Sequence, residues 1–235
     1  MADLPYLAIL LLTYKRTNEA LTTLDSTFEH LKYPPDLIKW YIADDGSPRE
    51  HVDTLIAFIK ARTNKLIGWH NEKFSEIPYA CGIGWNKGLG LCYQHTDFVL
   101  ILEDDWRMDE NLDAVRSVRL LQEREDVGCV SFRILSTGAD VHTVGHDGYI
   151  YLEYQRTTQY AYSGNPHIRH ARYTKHYGWY AEERSPGLIE LHQDDQYRYK
   201  NGVMRTNNDG PVIWRQANLD PWGAWHHIGK DKTWK

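Results

Sequence analysis

The chain is short of several things. Its 235 residues include only three cysteines, Cys81, Cys92 and Cys129. The number is odd and no CxxC or zinc-finger spacing occurs, so neither a disulfide framework nor a structural zinc site is indicated, and reduced thiols in a cytoplasmic setting are expected. Long apolar runs are missing: residues 7–12 form the longest, far below the roughly 20 residues that a membrane-spanning helix needs. The opening Met-Ala-Asp-Leu-Pro lacks a basic segment followed by an apolar one, so no secretory signal and no stable membrane anchor are expected. Neither sign of charge dominates. Twenty-seven Lys and Arg against 32 Asp and Glu leave a net charge of −5, which gives no global electrostatic reason for tight binding to nucleic acid. Internal repeats, low-complexity tracts and a clear linker are absent as well, so a single domain over 1–235 is expected.

Aromatic residues are plentiful instead. Nine Trp and 16 Tyr exceed what a core of this size needs, and flat faces with polar handles suit a site that grips sugar rings or bases. Apolar residues make up 42% and charged ones 25%, which excludes wholesale disorder.

The first half alternates strand and helix. Residues 6–13 form a continuous apolar run of strand length, as in a strand covered on both faces. A helix over about 18–31 follows, with Thr17 as N-cap. A second strand over 38–43 ends in Asp44-Asp45-Gly46-Ser47-Pro48, where Ser47 and Glu50 have capping-box spacing and Pro48 suits the first helical position of a helix reaching about 62. A third strand covers 65–70, a glycine-interrupted helix 82–93, a fourth strand 98–102, a helix about 112–123 and a strand about 127–132. This alternation predicts an α/β fold with a mostly parallel sheet, whose ligands lie beyond the carboxyl ends of the strands. The second half (133–235) is rich in Gly, His, Tyr and Arg and reads as an aromatic layer folded onto the first. Strands over 149–154 and 212–214 and a short helix over 194–200 are expected there.

Three polar clusters follow three apolar strands: Thr13-Tyr14-Lys15-Arg16, Asp44-Asp45-Gly46-Ser47 and Glu103-Asp104-Asp105. A parallel sheet brings all three to one edge. Consecutive carboxylates repel and are costly to desolvate, so stability alone gives no reason to gather them there. A hard divalent cation supplies the missing charge, and oxygen ligands suit Mg²⁺ or Mn²⁺ bridging carboxylates to substrate phosphates. A nucleoside diphosphate is the natural guest.

These clusters, with Gly84-Trp85-Asn86-Lys87-Gly88 between the second and third, resemble in order and placement the nucleotide-sugar glycosyltransferases of the GT-A fold, with family 2 the nearest likeness. The resemblance covers about the first 110 residues and implies a Rossmann-like first half (1–132) that binds the donor. It implies that Thr13 holds the base or ribose, with Tyr14, Arg16 and Asp44 in the same donor site, and that Asp45 accepts a hydrogen bond from a uracil or thymine imide. One of the two turn acids, Asp44 by preference, is expected to bond local backbone. Glu103-Asp104-Asp105 matches the DxD-type motif, with Asp105 as metal ligand and Glu103 and Asp104 near ribose or sugar. Members often carry an Arg near the segment 79–86; none occurs here before Lys87, which leaves Tyr79 or Trp85 to stack on the base beside Asn86.

The resemblance further implies a catalytic carboxylate on the acceptor side. Gln193-Asp194-Asp195 fits that place, although Gln193 stands where the family has Glu; Asp194 is the favoured base and Asp195 the alternative. Near the C-terminus, His227 is the expected second metal ligand, with Lys230 and Lys232 on the diphosphate. The expectation is therefore an inverting, Mn²⁺- or Mg²⁺-dependent glycosyltransferase using a UDP- or TDP-type donor. A glycan, a protein or a modified nucleic acid remains open as acceptor. Two rivals stand beside it. A sugar nucleotidyltransferase would carry a Gly-rich phosphate loop after its first strand, where Thr13-Tyr14-Lys15-Arg16 stands. A non-catalytic carbohydrate-binding module leaves the acidic triplet unexplained.

Overall fold

The structure, a computed structural model, describes residues 3–73, 81–125, 127–132, 141–146, 149–154, 164, 166–182, 184–201, 214–217 and 225–229. The elements in chain order are β1 (Leu7–Thr13), α1 (Thr17–His30), β2 (Leu31–Lys32), β3 (Ile38–Asp44), α2 (Arg49–Lys60), β4 (Leu66–Asn71), α3 (Gly82–Tyr93), β5 (Phe98–Glu103), β6 (Trp106–Met108), β7 (Leu112–Asp113), α4 (Ala114–Glu123) and β8 (Val127–Ser131). Then come β9 (Val141–His146), β10 (Tyr149–Tyr154), β11 (His167–His170), α5 (Ala171–Tyr177), α6 (Pro186–Asn201), β12 (Trp214–Ala217) and β13 (Trp225–His227).

Nine strands form one sheet in the order β4-β3-β1-β5-β11-β8-β12-β10-β9. Of the central six, from β4 to β8, only β11 runs against the rest. The expected mostly parallel α/β core is therefore present, and strands of the second half extend the same sheet. Every residue of β1 is buried, because its side chains alternate between two apolar layers. Leu7, Ile9 and Leu11 face α1, α2 and α4 through Leu24, Val52, Leu55 and Val118. Ala8, Leu10 and Leu12 face α3, α5 and α6 through Leu89, Cys92, Tyr177 and Ile189. Helices thus cover both faces, which is why the strand reads as an unbroken apolar run. Cys81, Cys92 and Cys129 are buried and form no disulfide. Among the described residues no helix is long and apolar enough to cross a membrane.

Four expectations shift for local reasons. Thr17 is the first residue of α1 rather than its cap, because its hydroxyl is bonded to His51. Ser47 does not cap α2; its hydroxyl donates to Asp44 and accepts from the Lys15 amide. Residues 112 and 113 pair with β2 before α4 begins, and Asp113 caps that helix by accepting from the Arg116 amide at 3.0 Å. Finally, α6 is longer than its expected piece and starts at Pro186.

Helix α3 packs tightly against the sheet at Gly88, where an added Cβ would lie 2.8 Å from Leu10 Cδ1 and 3.1 Å from Ala43 Cβ. Gly88→Ala should therefore lower the melting temperature although alanine is the better helix former, because overpacking (about 1–3 kcal/mol) exceeds the propensity gain of about 1 kcal/mol; calorimetry checks the sign. Nearby His70, 5% exposed, accepts or donates at 3.2 Å to the Tyr41 hydroxyl, and burial, helped by Lys87, pushes its imidazole down to about 4. A folded-state value below the unfolded one near 6.5 means stability that is present above 6.5 and lost as pH falls towards 4. Between pH 7 and 4.5 the wild type should lose about 2 kcal/mol more than His70→Gln in urea titrations.

Candidate active site

The strand registers bring the polar clusters to one edge. Thr13 lies opposite Asp44, Leu12 opposite Glu103, and Asp44 opposite Asn71. The loop after β1 is then stitched to both neighbours. On one side the Lys15 amide donates to Ser47 Oγ at 2.8 Å, and Lys15 takes a positive φ of 61° to do so. On the other, the Tyr14 amide and the Thr13 hydroxyl both donate to Asp104 Oδ2 at 2.9 Å. Asp44 is consumed locally: it accepts from the Ser47 amide at 2.7 Å, the Ser47 hydroxyl at 2.5 Å and Asn71 Nδ2 at 2.6 Å.

The acidic triplet is followed by a strand, not a helix. β6 pairs antiparallel with β13, setting Trp106 opposite His227. That pairing delivers His227 Nε2 to within 3.0 Å of Asp105 Oδ2, and the Ile228 amide donates to the Asp105 carbonyl at 2.8 Å. Arg16 completes the cluster, its guanidinium spanning Asp104 (2.7 Å) and Asp105. Three atoms of this cluster are buried without a hydrogen-bond partner: Arg16 Nε, Asp105 Oδ1 and Asp104 Oδ1, the last ion-paired to the guanidinium. The Arg16 nitrogen is a donor suited to an anionic oxygen, and the Asp105 oxygen is an acceptor suited to a cation.

Among the described residues, no group of three or more His, Cys, Asp or Glu is arranged to hold a metal ion. Asp105 and His227 nonetheless fit a divalent cation of the kind that takes one or two protein ligands and completes its shell with phosphate oxygens and water, since Asp105 keeps a bare buried oxygen.

Uncompensated charge marks the rest of the edge. Burial, then Asp44, pushes Asp45 up to about 6. Burial lifts Asp104 to about 7 even with Arg16 against it. Glu103 is held far above the usual carboxylate range by burial and by Asp105, Glu190 and Asp104. Cys81 lies among these acids, and its thiol is raised by burial, Asp45 and Glu103. Glu190, on α6, was not singled out by the sequence. Its Oε1 accepts from the Gly164 amide, and a Cβ on Gly164 would lie 3.1 Å from it and 3.2 Å from Glu103 Oε1. Nothing in the string Gly-Leu-Ile-Glu marks that residue; only the orientation of α6 does.

Several expected residues are engaged elsewhere. Asn86 pairs reciprocally with the Tyr180 backbone, its Nδ2 donating to the carbonyl and its Oδ1 accepting from the amide, each at 3.0 Å. The Trp85 ring meets Tyr180 edge-on at 5.3 Å. Both residues hold the loop after α5 against α3. Buried Arg169 holds the same loop, donating to the Gly178 carbonyl at 3.2 Å beneath Tyr180. The Tyr14 ring carries the Lys15 ammonium at 4.7 Å. Asp195 is exposed on α6, and the side chain of Asp194, like Tyr79, Lys230 and Lys232, lies outside what is described.

With this geometry in view, known proteins divide sharply. No protein-family model matches the chain, and no curated protein does. Solved structures match well. TarS 1-349 of S. aureus in complex with UDP-GlcNAc superposes with a TM-score of 0.62 at 13% identity, over 97% of this chain and 60% of that one. Its complex with UDP gives 0.59 at 14%, over 93% and 59%. The mannosyltransferase PcManGT from Pyrobaculum calidifontis, in complex with GDP-Man and Mn2+, gives 0.55 at 13%, over 91% and 57%. The chain has a GT-A fold. It spans about 60% of the length of these matched structures.

Gly229 is the tightest point of the GT-A edge. A Cβ there would lie 2.5 Å from Asp105 Oδ2, 3.0 Å from Asp105 Cβ and 3.1 Å from Arg16 Nη1. Gly229→Ala should therefore part Asp105 from Arg16 and, because a buried ion pair that loses its partner costs about 3–5 kcal/mol, lower the melting temperature by about 6 °C or more in calorimetry.

Proposed function

We propose that the chain is an inverting glycosyltransferase that moves a sugar from a nucleoside diphosphate sugar of the UDP or TDP type to an acceptor hydroxyl. The observation that carries this reading is the pair of buried, unpartnered atoms, Arg16 Nε and Asp105 Oδ1, flanking one ion pair at the sheet edge. A ligand offering anionic oxygens together with a cation answers both, and a metal-bound diphosphate is such a ligand. The GT-A fold and the nucleotide-sugar ligands of its structural neighbours support the same class.

In this reading Asp45 accepts from the base imide, and its half-buried place strengthens that bond. Thr13, Tyr14, Asp44, Glu103 and Asp104 shape the ribose and sugar side, with Trp85 and Asn86 supporting the wall behind them. Arg16, with Lys230 and Lys232, meets the phosphates. Mn²⁺ or Mg²⁺ held by Asp105 and His227 would supply positive charge to the departing diphosphate. Asp194, with Asp195 as alternative, removes the acceptor's proton, a contribution of about 10²–10⁴-fold. Inversion follows from a single displacement at the anomeric carbon. The acceptor is a glycan, a protein or a modified nucleic acid.

Turnover of UDP- and TDP-sugars, with GDP-mannose as control, tests the proposal with and without Mn²⁺. Metal should raise donor turnover at least tenfold, and Asp105→Ala should abolish that response. Equal rates for Asp105→Ala and wild type would sink the metal assignment.

A further inference from the structure

His51 stands out on α2. The other buried residues of that helix, Val52, Leu55, Ile56 and Ile59, are apolar, and an apolar side chain would serve packing equally well. Instead an imidazole 5% exposed is buried here, at a desolvation cost that only specific bonds repay. Nε2 lies 2.8 Å from Thr13 Oγ1 and Nδ1 lies 2.7 Å from Thr17 Oγ1.

The direction of each bond follows from counting hydrogens. Asp104 Oδ2 already accepts from the Tyr14 amide, and Oδ1 faces the Arg16 guanidinium. Oδ2 thus acts as an acceptor, so Thr13 must spend its one hydroxyl hydrogen on it. His51 Nε2 must then carry a hydrogen and donate to Thr13. Asp44 Oδ1, 3.6 Å from Nε2, favours the same tautomer, and burial keeps the ring neutral. Nδ1 is therefore bare and accepts from the Thr17 hydroxyl.

We propose that His51, as its Nε2–H tautomer, is a positioning residue for the donor site: it orients the Thr13 hydroxyl, which in turn fixes Asp104 and the Arg16 bridge to Asp105. The inference rests on the donor-binding reading above. Thr13 is thereby a link inside the frame, its hydroxyl committed to Asp104 and its side chain 5% exposed. Without the imidazole donor the hydroxyl is free to rotate, and Asp104 loses one of its fixed partners.

The test measures UDP and GDP affinity by calorimetry with Mn²⁺ present, for wild type, His51→Gln, His51→Leu, Thr13→Val and the Thr13→Val/His51→Leu pair. Glutamine places an amide donor near the Nε2 position and should hold affinity within about threefold. Leucine should weaken it about tenfold, the scale of one buried partner left unmatched. In the Thr13→Val background leucine should add less than about twofold, because His51 acts through Thr13. If His51→Leu does not fold, His51→Asn replaces it, since its shorter amide reaches towards Thr17 and not Thr13. Imidazole ¹⁵N spectra, assigned by the signal lost in His51→Gln, should show a protonated Nε2 and a bare Nδ1. An unchanged affinity in His51→Leu, full additivity with Thr13→Val, or the opposite tautomer would each overturn the inference alone. A wild-type chain that binds neither nucleotide overturns the donor-binding reading, and this inference with it.

Discussion

Carboxylates crowded onto one sheet edge need a counter-charge, and Arg16 provides it. Its guanidinium spans Asp104 and Asp105 from a loop that those acids themselves help to hold. The arrangement is mutual: the loop is shaped by Asp104, and the cation that the loop brings holds Asp104 lower than burial alone would set it. Removing one partner of a buried ion pair leaves the other uncompensated, at a cost of about 3–5 kcal/mol. One guanidinium does not balance every acid present, however. Glu103, Asp104 and Asp45 are all shifted upward, so the edge favours the arrival of further positive charge.

The large features of the fold are legible in the residues because they follow from burial periodicity. β1 reads as a strand since both its faces are covered, and the acidic turns read as a site since stability alone cannot account for them. The three clusters converge because parallel register aligns strand ends. Boundaries were less legible, and each miss has a polar cause. Thr17 and Ser47 look like caps but are diverted to His51, Asp44 and Lys15. Local patterns cannot show that a hydroxyl has found a stronger partner dozens of residues away.

The site was legible only in part. Asp105 and His227, 122 positions apart, meet through the short β6–β13 pairing, which no periodicity announces. Asn86 and Trp85 sit in a motif that suggests ligand binding, yet their side chains grip Tyr180. Their role was hidden because an amide that satisfies a backbone peptide looks, in sequence, like one that satisfies a substrate. Glu190 and His51 were silent for the opposite reason: each lies in an ordinary helical string, and only tertiary orientation aims it at the strand ends.

The placement of β11 between β5 and β8 has a consequence for how the molecule is made. β8 leaves the ribosome well before β11, yet in the finished sheet the two are neighbours and β8 never touches β5. Until residues 167–170 emerge, β5 presents an open row of amides and carbonyls, and β8 has no place to dock. The nascent first half is therefore sticky rather than self-sufficient, and it matures only when later chain closes the gap. The two halves are consequently inherited together, as a unit that recombination cannot cut near the middle without leaving a bare strand behind.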